Sequence, residues 1–233
     1  DKWGSEIVNP LGCANCHDHK TMNLTITQPA LVEAFNRQGK DISKATHQEM
    51  RTLVCAQCHV EYYFKGENKY LTFPWDKGTT VDDIEKYYDE SGWTDYVHSV
   101  SRTPILKAQH PDYEIWKMGI HGQRGVSCAD CHMPYNTQGG VKVTDHHISS
   151  PLRNVSASCQ TCHRQSEDEL KKNVFERQDV IFGLRIKLEK ELAKVHFKAK
   201  HLWDNGATEE QMKPILSLIR RAQWRWDFAH SSH

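Results

Sequence analysis

The stretch VCAQCHVEYYF, from Val54 to Phe64, contains a Cys-x-x-Cys-His motif, and this motif decides how the chain folds. Two thiols three residues apart can form thioether bonds to the two vinyl groups of a haem, and the adjacent histidine then reaches the iron. Cys55, Cys58 and His59 are therefore predicted to hold one covalent haem. Such a site needs nothing particular after its histidine, yet a carboxylate and two tyrosines follow at once, at 61–63.

The same motif occurs four times and accounts for all eight cysteines of the 233-residue chain. We number the copies along the chain as site 1 (Cys13, Cys16, His17), site 2 (Cys55, Cys58, His59), site 3 (Cys128, Cys131, His132) and site 4 (Cys159, Cys162, His163). Zinc ribbons need paired Cys-x-x-Cys units about 15–20 residues apart, and the gaps between these motifs are longer. Disulfides would not place a histidine after every pair. The pattern predicts four c-type haems.

A haem c iron usually takes a second axial ligand, and 15 histidines are available in the sequence. His121 in GIHG and His146 in TDHH are the better candidates, because they lie in short polar segments between motifs where the chain can approach a porphyrin closely. His196 and His201 fall inside a predicted helix, where we expect them to be solvated.

The composition is consistent with an interior that is partly filled by cofactors. Apolar residues make up 38% of the chain, and the mean hydropathy is −0.72, a thin supply beside the usual value of about 45–50% with glycine counted. Thirty basic and thirty acidic side chains give zero net charge, which argues against nucleic acid or an anionic membrane as the main partner. No apolar run approaches the roughly 18 residues of a spanning helix, so we expect a soluble chain.

The pattern of the sequence changes after the last motif. Residues 1–165 are short segments broken by Gly, Pro and Asn, and we expect this haem-binding region to depend more on its haems than on its own packing. Apolar residues then recur at helical spacing and predict a helix over about 167–204. A second helix is predicted from near Thr208 or Pro214. The predicted fold is a mainly α multihaem cytochrome with few strands, one compact unit in which 166–233 form a long helical hairpin and a dimer contact.

A second stretch, TPILKAQHPDYE from Thr103 to Glu114, reads like a partner to the first. Glu61 offers a carboxylate and Gln109 an amide oxygen, and with backbone carbonyls and water they would form the oxygen-only ligand set that Ca²⁺ prefers. Tyr62 and His110 would then be a hydroxyl and an imidazole held near a bound anion. On spacing alone, exposed polar residues are the simpler interpretation.

Together, CAQCHVEYYF, LKAQHP, the GIHG to CADCHMP segment, TDHH and AQWRWD resemble the pentahaem cytochrome c nitrite reductase family, which reduces nitrite to ammonia. The resemblance runs over nearly the whole chain. It implies a calcium ion bound by the side chains of Glu61 and Gln109 and by the backbone carbonyls of Tyr62 and Lys107. It also implies that the Tyr62 hydroxyl and His110 line the substrate pocket.

The resemblance further implies two distal haem ligands. His146 would serve the haem of site 1, in preference to its neighbour His147, because it stands in the family's TDH position. His121 would serve the haem of site 4. The distal ligands of sites 2 and 3 are expected upstream and downstream of this chain.

The sequence also departs from the family pattern. The family's catalytic haem stands on a Cys-x-x-Cys-Lys motif, which is absent here, so a fifth haem and a pocket arginine are expected upstream of Asp1. The chain begins without Met or a secretory signal, so we expect that the start of the gene product has been removed. The chain then corresponds to the middle of a nitrite reductase and is expected to be inactive alone.

The intact enzyme is expected to be a periplasmic homodimer that uses six electrons and eight protons for each nitrite. Its electron donor would be a periplasmic or membrane-bound cytochrome or quinol dehydrogenase. Two alternatives are a multihaem electron-transfer cytochrome without a substrate and an octahaem relative that acts on hydroxylamine or hydrazine.

Overall fold

The computed structural model describes residues 11–231, and within them the fold is mainly helical, as predicted. The α-helices are α1 (Pro29–Arg37), α2 (His47–Leu53), α3 (Val81–Ser91), α4 (Asp112–Met118), α5 (Ile120–Gln123), α6 (Cys128–His132), α7 (Val155–Ser158), α8 (Glu167–Asp204) and α9 (Glu209–His230). The strands are β1 (Tyr63–Lys65), β2 (Tyr70–Thr72), β3 (Tyr96–Val97), β4 (Pro104–Ile105), β5 (Tyr135–Gln138) and β6 (Val141–Thr144). Short 3-10 helices lie at Cys13–Asn15, Ile42–Lys44 and Pro151–Arg153.

Each Cys-x-x-Cys-His motif forms one helical turn. In sites 1, 2 and 4 the histidine N–H donates to the carbonyl oxygen of the first cysteine, at 2.8, 3.0 and 2.9 Å. Site 3 is itself helix α6, and its N-cap residue Ser127 accepts a hydrogen bond from the Asp130 N–H. Because residues three and four apart lie on one side of a helical turn, both thiols and the imidazole face the same way in every site.

The six strands form three antiparallel hairpins, each beside a functional segment. The hairpin of β1 and β2 pairs Tyr63 with Thr72 and follows site 2 directly. The hairpin of β3 and β4 leads into residues 107–110. The hairpin of β5 and β6 joins site 3 to the segment that contains His146. The strands are therefore local supports for the sites rather than a separate layer.

An aromatic core lies inside the haem-binding region. Trp75 and Tyr88 are buried there, and Trp75 stacks on Tyr113 with ring centroids 5.1 Å apart. Helix α9 adds Trp224 and Phe228 to the same core. The region therefore has packing of its own, which the sequence did not indicate because these aromatic residues are scattered along the chain and meet only when it folds.

The predicted helical hairpin is present. Helix α8 begins after Ser166, whose side chain accepts from the Glu169 N–H, and its 38 residues span about 57 Å. Helix α9 begins after Thr208, and Pro214 lies inside the helix rather than at its start. The first two thirds of α8 expose a set of large apolar side chains: Phe175, Val180, Ile181, Phe182 and Leu184. Within residues 11–231, none of the helices is both long and apolar enough to cross a membrane.

His196 is a correction to the sequence analysis. Its side chain is buried, its ring stacks on His98 with centroids 3.8 Å apart, and its Nδ1 lies 2.7 Å from Ser101 Oγ. The expected exposure was wrong because the C-terminal third of α8 packs against the hairpin of β3 and β4. His201 is exposed, as expected.

Candidate haem-binding and substrate site

Three of the four motif histidines are oriented by an oxygen atom at Nδ1. Nδ1 of His17 lies 2.8 Å from the Met22 carbonyl oxygen, and Nδ1 of His132 lies 3.0 Å from the Ser149 carbonyl oxygen. Nδ1 of His59 lies 3.1 Å from the Asp112 carboxylate. Carbonyl and carboxylate oxygens accept hydrogen bonds, so Nδ1 carries the proton and Nε2 keeps the lone pair. An imidazole fixed in this way is oriented to bind a metal through Nε2.

Two predicted distal histidines lie opposite their motif histidines. The ring centroids of His17 and His146 are 6.1 Å apart, and those of His121 and His163 are 6.0 Å apart. A metal ion with bonds of about 2 Å to two opposite imidazole nitrogens separates the ring centroids by about 6 Å. The residues at sites 1 and 4 therefore fit one iron between each pair.

His146 and its neighbour His147 differ in their surroundings. His146 donates from Nδ1 to the Thr144 carbonyl at 2.9 Å, which leaves Nε2 for a metal. The His147 side chain is 99% exposed, and its Nδ1 lies 2.9 Å from Asp145 Oδ1 in its own turn. Of the two, His146 is the residue whose ring faces His17.

His110 has a similar relation to His59. Their ring centroids are 6.2 Å apart, the same separation as in the other two pairs. This spacing is compatible with two roles for His110, as a side chain of the substrate pocket or as an iron ligand opposite His59.

The four sites are contiguous through their cysteines. Burial, followed by the nearby Cys58 thiol, raises the pKa of Cys16. A hydrogen bond with Cys128 raises the pKa of Cys55. This bond connects site 2 with site 3. Burial, followed by the Cys159 thiol, raises the pKa of Cys131 to about 11. The effect of Cys159 on Cys131 means that the two thiols are close, so sites 3 and 4 are neighbours. Haems attached at these thiols would lie next to one another in the order of the chain.

The alternatives to haem attachment find no support in the geometry. All eight cysteines are free thiols, so none of the motifs closes a disulfide. In the part of the chain that the structure describes, no group of three or more His, Cys, Asp or Glu side chains is arranged to hold a metal ion. A zinc site of the Cys₄ or Cys₂His₂ kind would form such a group.

The structure brings Glu61 and Gln109 together across 48 residues of sequence. Glu61 is fully buried, and its Oε2 accepts a hydrogen bond from the Gln109 backbone N–H at 2.7 Å. Its Oε1 accepts from the Tyr88 hydroxyl at 2.9 Å. Tyr62 and Gln109 are half-buried, while the Lys107 side chain is exposed, which leaves only its backbone to act as a ligand.

The surroundings of Glu61 fit a bound cation. Burial, followed by the Glu114 carboxylate, raises the pKa of Glu61 well above its usual range, and burial raises the pKa of Glu114 to about 8. Glu114 Oε2 is buried and has no hydrogen-bond partner within residues 11–231. One carboxylate, one side-chain amide and backbone carbonyls form a hard oxygen set of the kind that Ca²⁺ takes. A cation in this position would compensate carboxylates that are otherwise costly to ionise.

Tyr62 and His110 line one cavity of about 410 Å³, together with Cys58 of site 2. The cavity also contacts Gln57 and Phe73. It thus presents a hydroxyl and an imidazole beside a haem attachment site, on a partly apolar wall. These are the groups needed to hold and protonate a small anion.

The family model of cytochrome c552 matches residues 1–233, which is the whole chain. The chain belongs to the cytochrome c552 family. It is 69% identical over 236 residues to cytochrome c-552 of Bacteroides thetaiotaomicron and 51% identical over 241 residues to that of Aliarcobacter butzleri. Both alignments cover all of this chain and 48% and 49% of those relatives, so the chain spans about half the length of the curated relatives it matches.

This cytochrome c552 chain also has a solved structural relative. The catalytic subunit of the cytochrome c nitrite reductase from Desulfovibrio desulfuricans is 35% identical to it, with a TM-score of 0.86 over 96% of this chain and 51% of that one. That structure is described as having two calcium sites. The family and the multihaem fold predicted from the sequence are both confirmed.

Some residues that hold the site in the cytochrome c552 chain were not predicted. Asp112 orients His59, while Tyr88 and Glu114 hold Glu61. Asp112 stands two positions after His110 in the HPD triplet, so a local signal was present. Tyr88 and Glu114 are 27 and 53 residues from Glu61, and nothing in the local pattern points to either.

Proposed function

We propose that this chain is the central portion of a nitrite reductase that converts nitrite to ammonia with six electrons and eight protons. The observation that carries the proposal is the meeting of two distant segments beside site 2. Glu61 accepts from the Gln109 N–H at 2.7 Å, and the neighbouring Tyr62 and His110 line one cavity.

The haem sites supply the electron path. When bound, the c-type haems of sites 1 to 4 carry electrons one at a time, and the protein sets their order and environment. The proximity of Cys16 to Cys58, of Cys55 to Cys128 and of Cys131 to Cys159 supports a continuous relay. His146 and His121 close sites 1 and 4 to substrate. A fifth, lysine-ligated haem outside this chain is the site of reduction.

Tyr62 and His110 act on the substrate. The hydroxyl and the imidazole donate hydrogen bonds to the nitrite anion and deliver protons as it is reduced, which pre-placed donors do well in a poorly hydrated pocket. The side chains of Glu61 and Gln109 and the backbone carbonyls of Tyr62 and Lys107 hold Ca²⁺. This ion adds positive potential beside a pocket that takes an anion.

The assembly of the whole protein is part of the proposal. The exposed apolar side chains of α8, such as Ile181 and Leu184, support a homodimer contact through the hairpin. The protein would work in the periplasm, where c-type haems are attached, and would receive electrons from a periplasmic or membrane-bound cytochrome or quinol dehydrogenase.

The proposal is tested on the full-length holoprotein with nitrite and a reduced viologen dye as electron donor. We expect ammonium as the product, with six dye electrons consumed for each ammonium formed. Tyr62→Phe should lower the turnover number, because it removes the hydroxyl and keeps the ring. Dye oxidation without ammonium would overturn the proposal and favour an electron carrier or a different substrate.

A further inference from the structure

Three consecutive backbone N–H groups of residues 107–109 each donate to a different carboxylate. The pairs are Lys107 with Asp95 at 2.9 Å, Ala108 with Asp227 at 2.7 Å, and Gln109 with Glu61 at 2.7 Å. The three carboxylates come from separate parts of the chain, namely the turn before β3, helix α9 and the residues after site 2. Three bonds of 2.7–2.9 Å to three separate parts of the chain hold this segment firmly.

The direction of these bonds indicates how the segment is held. Residues 106–110 continue from β4 without a helix or a turn. In extended backbone, the N–H and carbonyl of one residue point to the same side, and those of the next residue point to the opposite side. The alternating partners of the three N–H groups fit this geometry, which would place the Lys107 carbonyl on the side of Glu61 and leave Ala108 facing Asp227 on α9. The segment is fixed from both sides at once.

Asp227 is itself rigidly placed. Its neighbours on α9, Trp224 and Phe228, are buried in the aromatic core, and the Trp224 ring N–H donates to the Val81 carbonyl at 3.0 Å. The carboxylate is half-buried on this fixed part of the helix. Core packing thus fixes the point at which α9 holds Ala108.

We propose that Asp227 is a positioning residue for the calcium-binding segment. It holds the Ala108 N–H so that the Lys107 carbonyl and the Gln109 side chain face Glu61, and so that His110 is presented to the cavity. This inference rests on the calcium role in the proposed function and adds a residue from a distant helix to it. This bond couples helix α9 of the hairpin directly to the segment that borders the substrate pocket.

The test uses the full-length holoprotein and two readouts other than turnover. Calcium affinity is measured by titration calorimetry after chelation, and amide hydrogen–deuterium exchange is followed in the peptide that contains Ala108. Asp227→Ala should weaken calcium binding by about tenfold or more and speed exchange at Ala108, since it removes a hydrogen bond to a charged acceptor. Asp227→Asn keeps an acceptor oxygen and should stay within about threefold of the wild-type affinity.

Arg225→Ala is the matched control. Arg225 lies on the same helix and pairs with Asp82 and Glu85 of α3, but it does not touch residues 107–109. It should leave the calcium affinity and the exchange of Ala108 unchanged. An equal loss in this variant would overturn the proposal, because the effect would then come from the general packing of α9.

Wild-type calcium affinity and exchange in Asp227→Ala would overturn the role of Asp227 and leave the calcium site intact. A wild-type protein that binds no calcium would overturn both. If Asp227→Ala does not fold, Asp227→Glu decides, because it keeps the charge and moves the carboxylate by one methylene. Weaker binding and faster exchange in that variant support the proposal, and wild-type values overturn it.

Discussion

Glu61 is the residue on which the candidate site depends most. It is buried, its carboxylate accepts from the Gln109 N–H and the Tyr88 hydroxyl, and its own backbone N–H donates to the Glu114 carboxylate. In the full-length holoprotein, Glu61→Ala should displace Tyr62 and His110 while the covalent haems stay attached. Turnover with nitrite should fall by at least about tenfold, since misplacing positioned groups by ~1 Å can cost on the order of 10²-fold.

Glu67→Ala serves as the control for Glu61→Ala, because Glu67 is an exposed carboxylate in the turn between β1 and β2. It should keep wild-type turnover and haem spectra. Full activity in Glu61→Ala would show that neither calcium nor the position of this carboxylate matters to the reaction.

The role of His110 is decided by the spin state of the haem at site 2. If His110 is a pocket residue, His110→Ala lowers turnover and leaves the number of low-spin ferric haems unchanged in electron paramagnetic resonance. A new high-spin signal would instead identify His110 as the iron ligand opposite His59, the role that its 6.2 Å ring separation also permits. His201→Ala, an exposed histidine of α8, should change neither property.

At the residue scale, the functional side chains inside a motif could be predicted from the sequence. The residues that hold them by hydrogen bonds could not. The pairing of Glu61 with Gln109 was predicted because the two motifs that contain them resemble motifs of the nitrite reductase family. Asp95 and Asp227 bond to the backbone of 107–109 only because folding brings together residues that are 12 and 119 positions apart in the sequence. Hydrogen bonds of this kind leave no periodicity or motif in the sequence.

Among the elements, the stack of His98 and His196 joins α8 to the hairpin of β3 and β4. Burial, followed by His98, lowers the pKa of His196 below its usual value of about 6.5. A lowered pKa means that the unfolded chain takes up the proton first, so this histidine stabilises the fold above its unfolded pKa and destabilises it as the pH falls.

His196→Phe keeps an aromatic ring in the stack and removes the titration. Its thermal midpoint, followed by circular dichroism, should fall less between pH 7.5 and pH 5.5 than that of the wild type. His201→Phe on the exposed face of the same helix should show the wild-type dependence on pH. Identical pH profiles for His196→Phe and the wild type would rule out this histidine as a source of acid sensitivity.

The exposed apolar face of α8 makes a separate prediction about assembly. Ile181 and Leu184 are 50% and 59% exposed, and a contact between two copies would bury both. Ile181→Asp with Leu184→Asp should therefore shift the full-length protein from dimer to monomer in light scattering. Lys190→Asp, about two and a half helical turns from Ile181 and therefore on the opposite face of α8, should stay dimeric. A dimer that survives the double substitution would place the contact elsewhere.

At the element scale, the long helices were predictable and the short strands were not. The bounds of α8 could be predicted from its capping residue and from the helical spacing of its apolar residues, a pattern that is clear because the helix has 38 residues. The hairpins have strands of two to four residues, too short for an alternating pattern to stand out. Pro214 made the start of α9 ambiguous, and the capping box of Thr208 with Gln211 decided it.

For the whole molecule, the four haem sites connect the sequence, the fold and the chemistry. They explain the 38% apolar content, the 15 histidines and the contiguous cysteines. The aromatic core around Trp75 and Trp224 shows that the chain also has packing of its own, which composition alone did not indicate. Haems bound at these sites would therefore share the interior with the aromatic core.

The mass of the intact chain under denaturing conditions tests this claim most directly, because thioether bonds survive denaturation and axial ligation does not. We expect the 27.0 kDa polypeptide of residues 1–233 to bear four covalent haems, and each motif with both cysteines changed to alanine to bear one haem fewer. The bare polypeptide mass, or fewer than four haem additions in the wild type, would contradict the account.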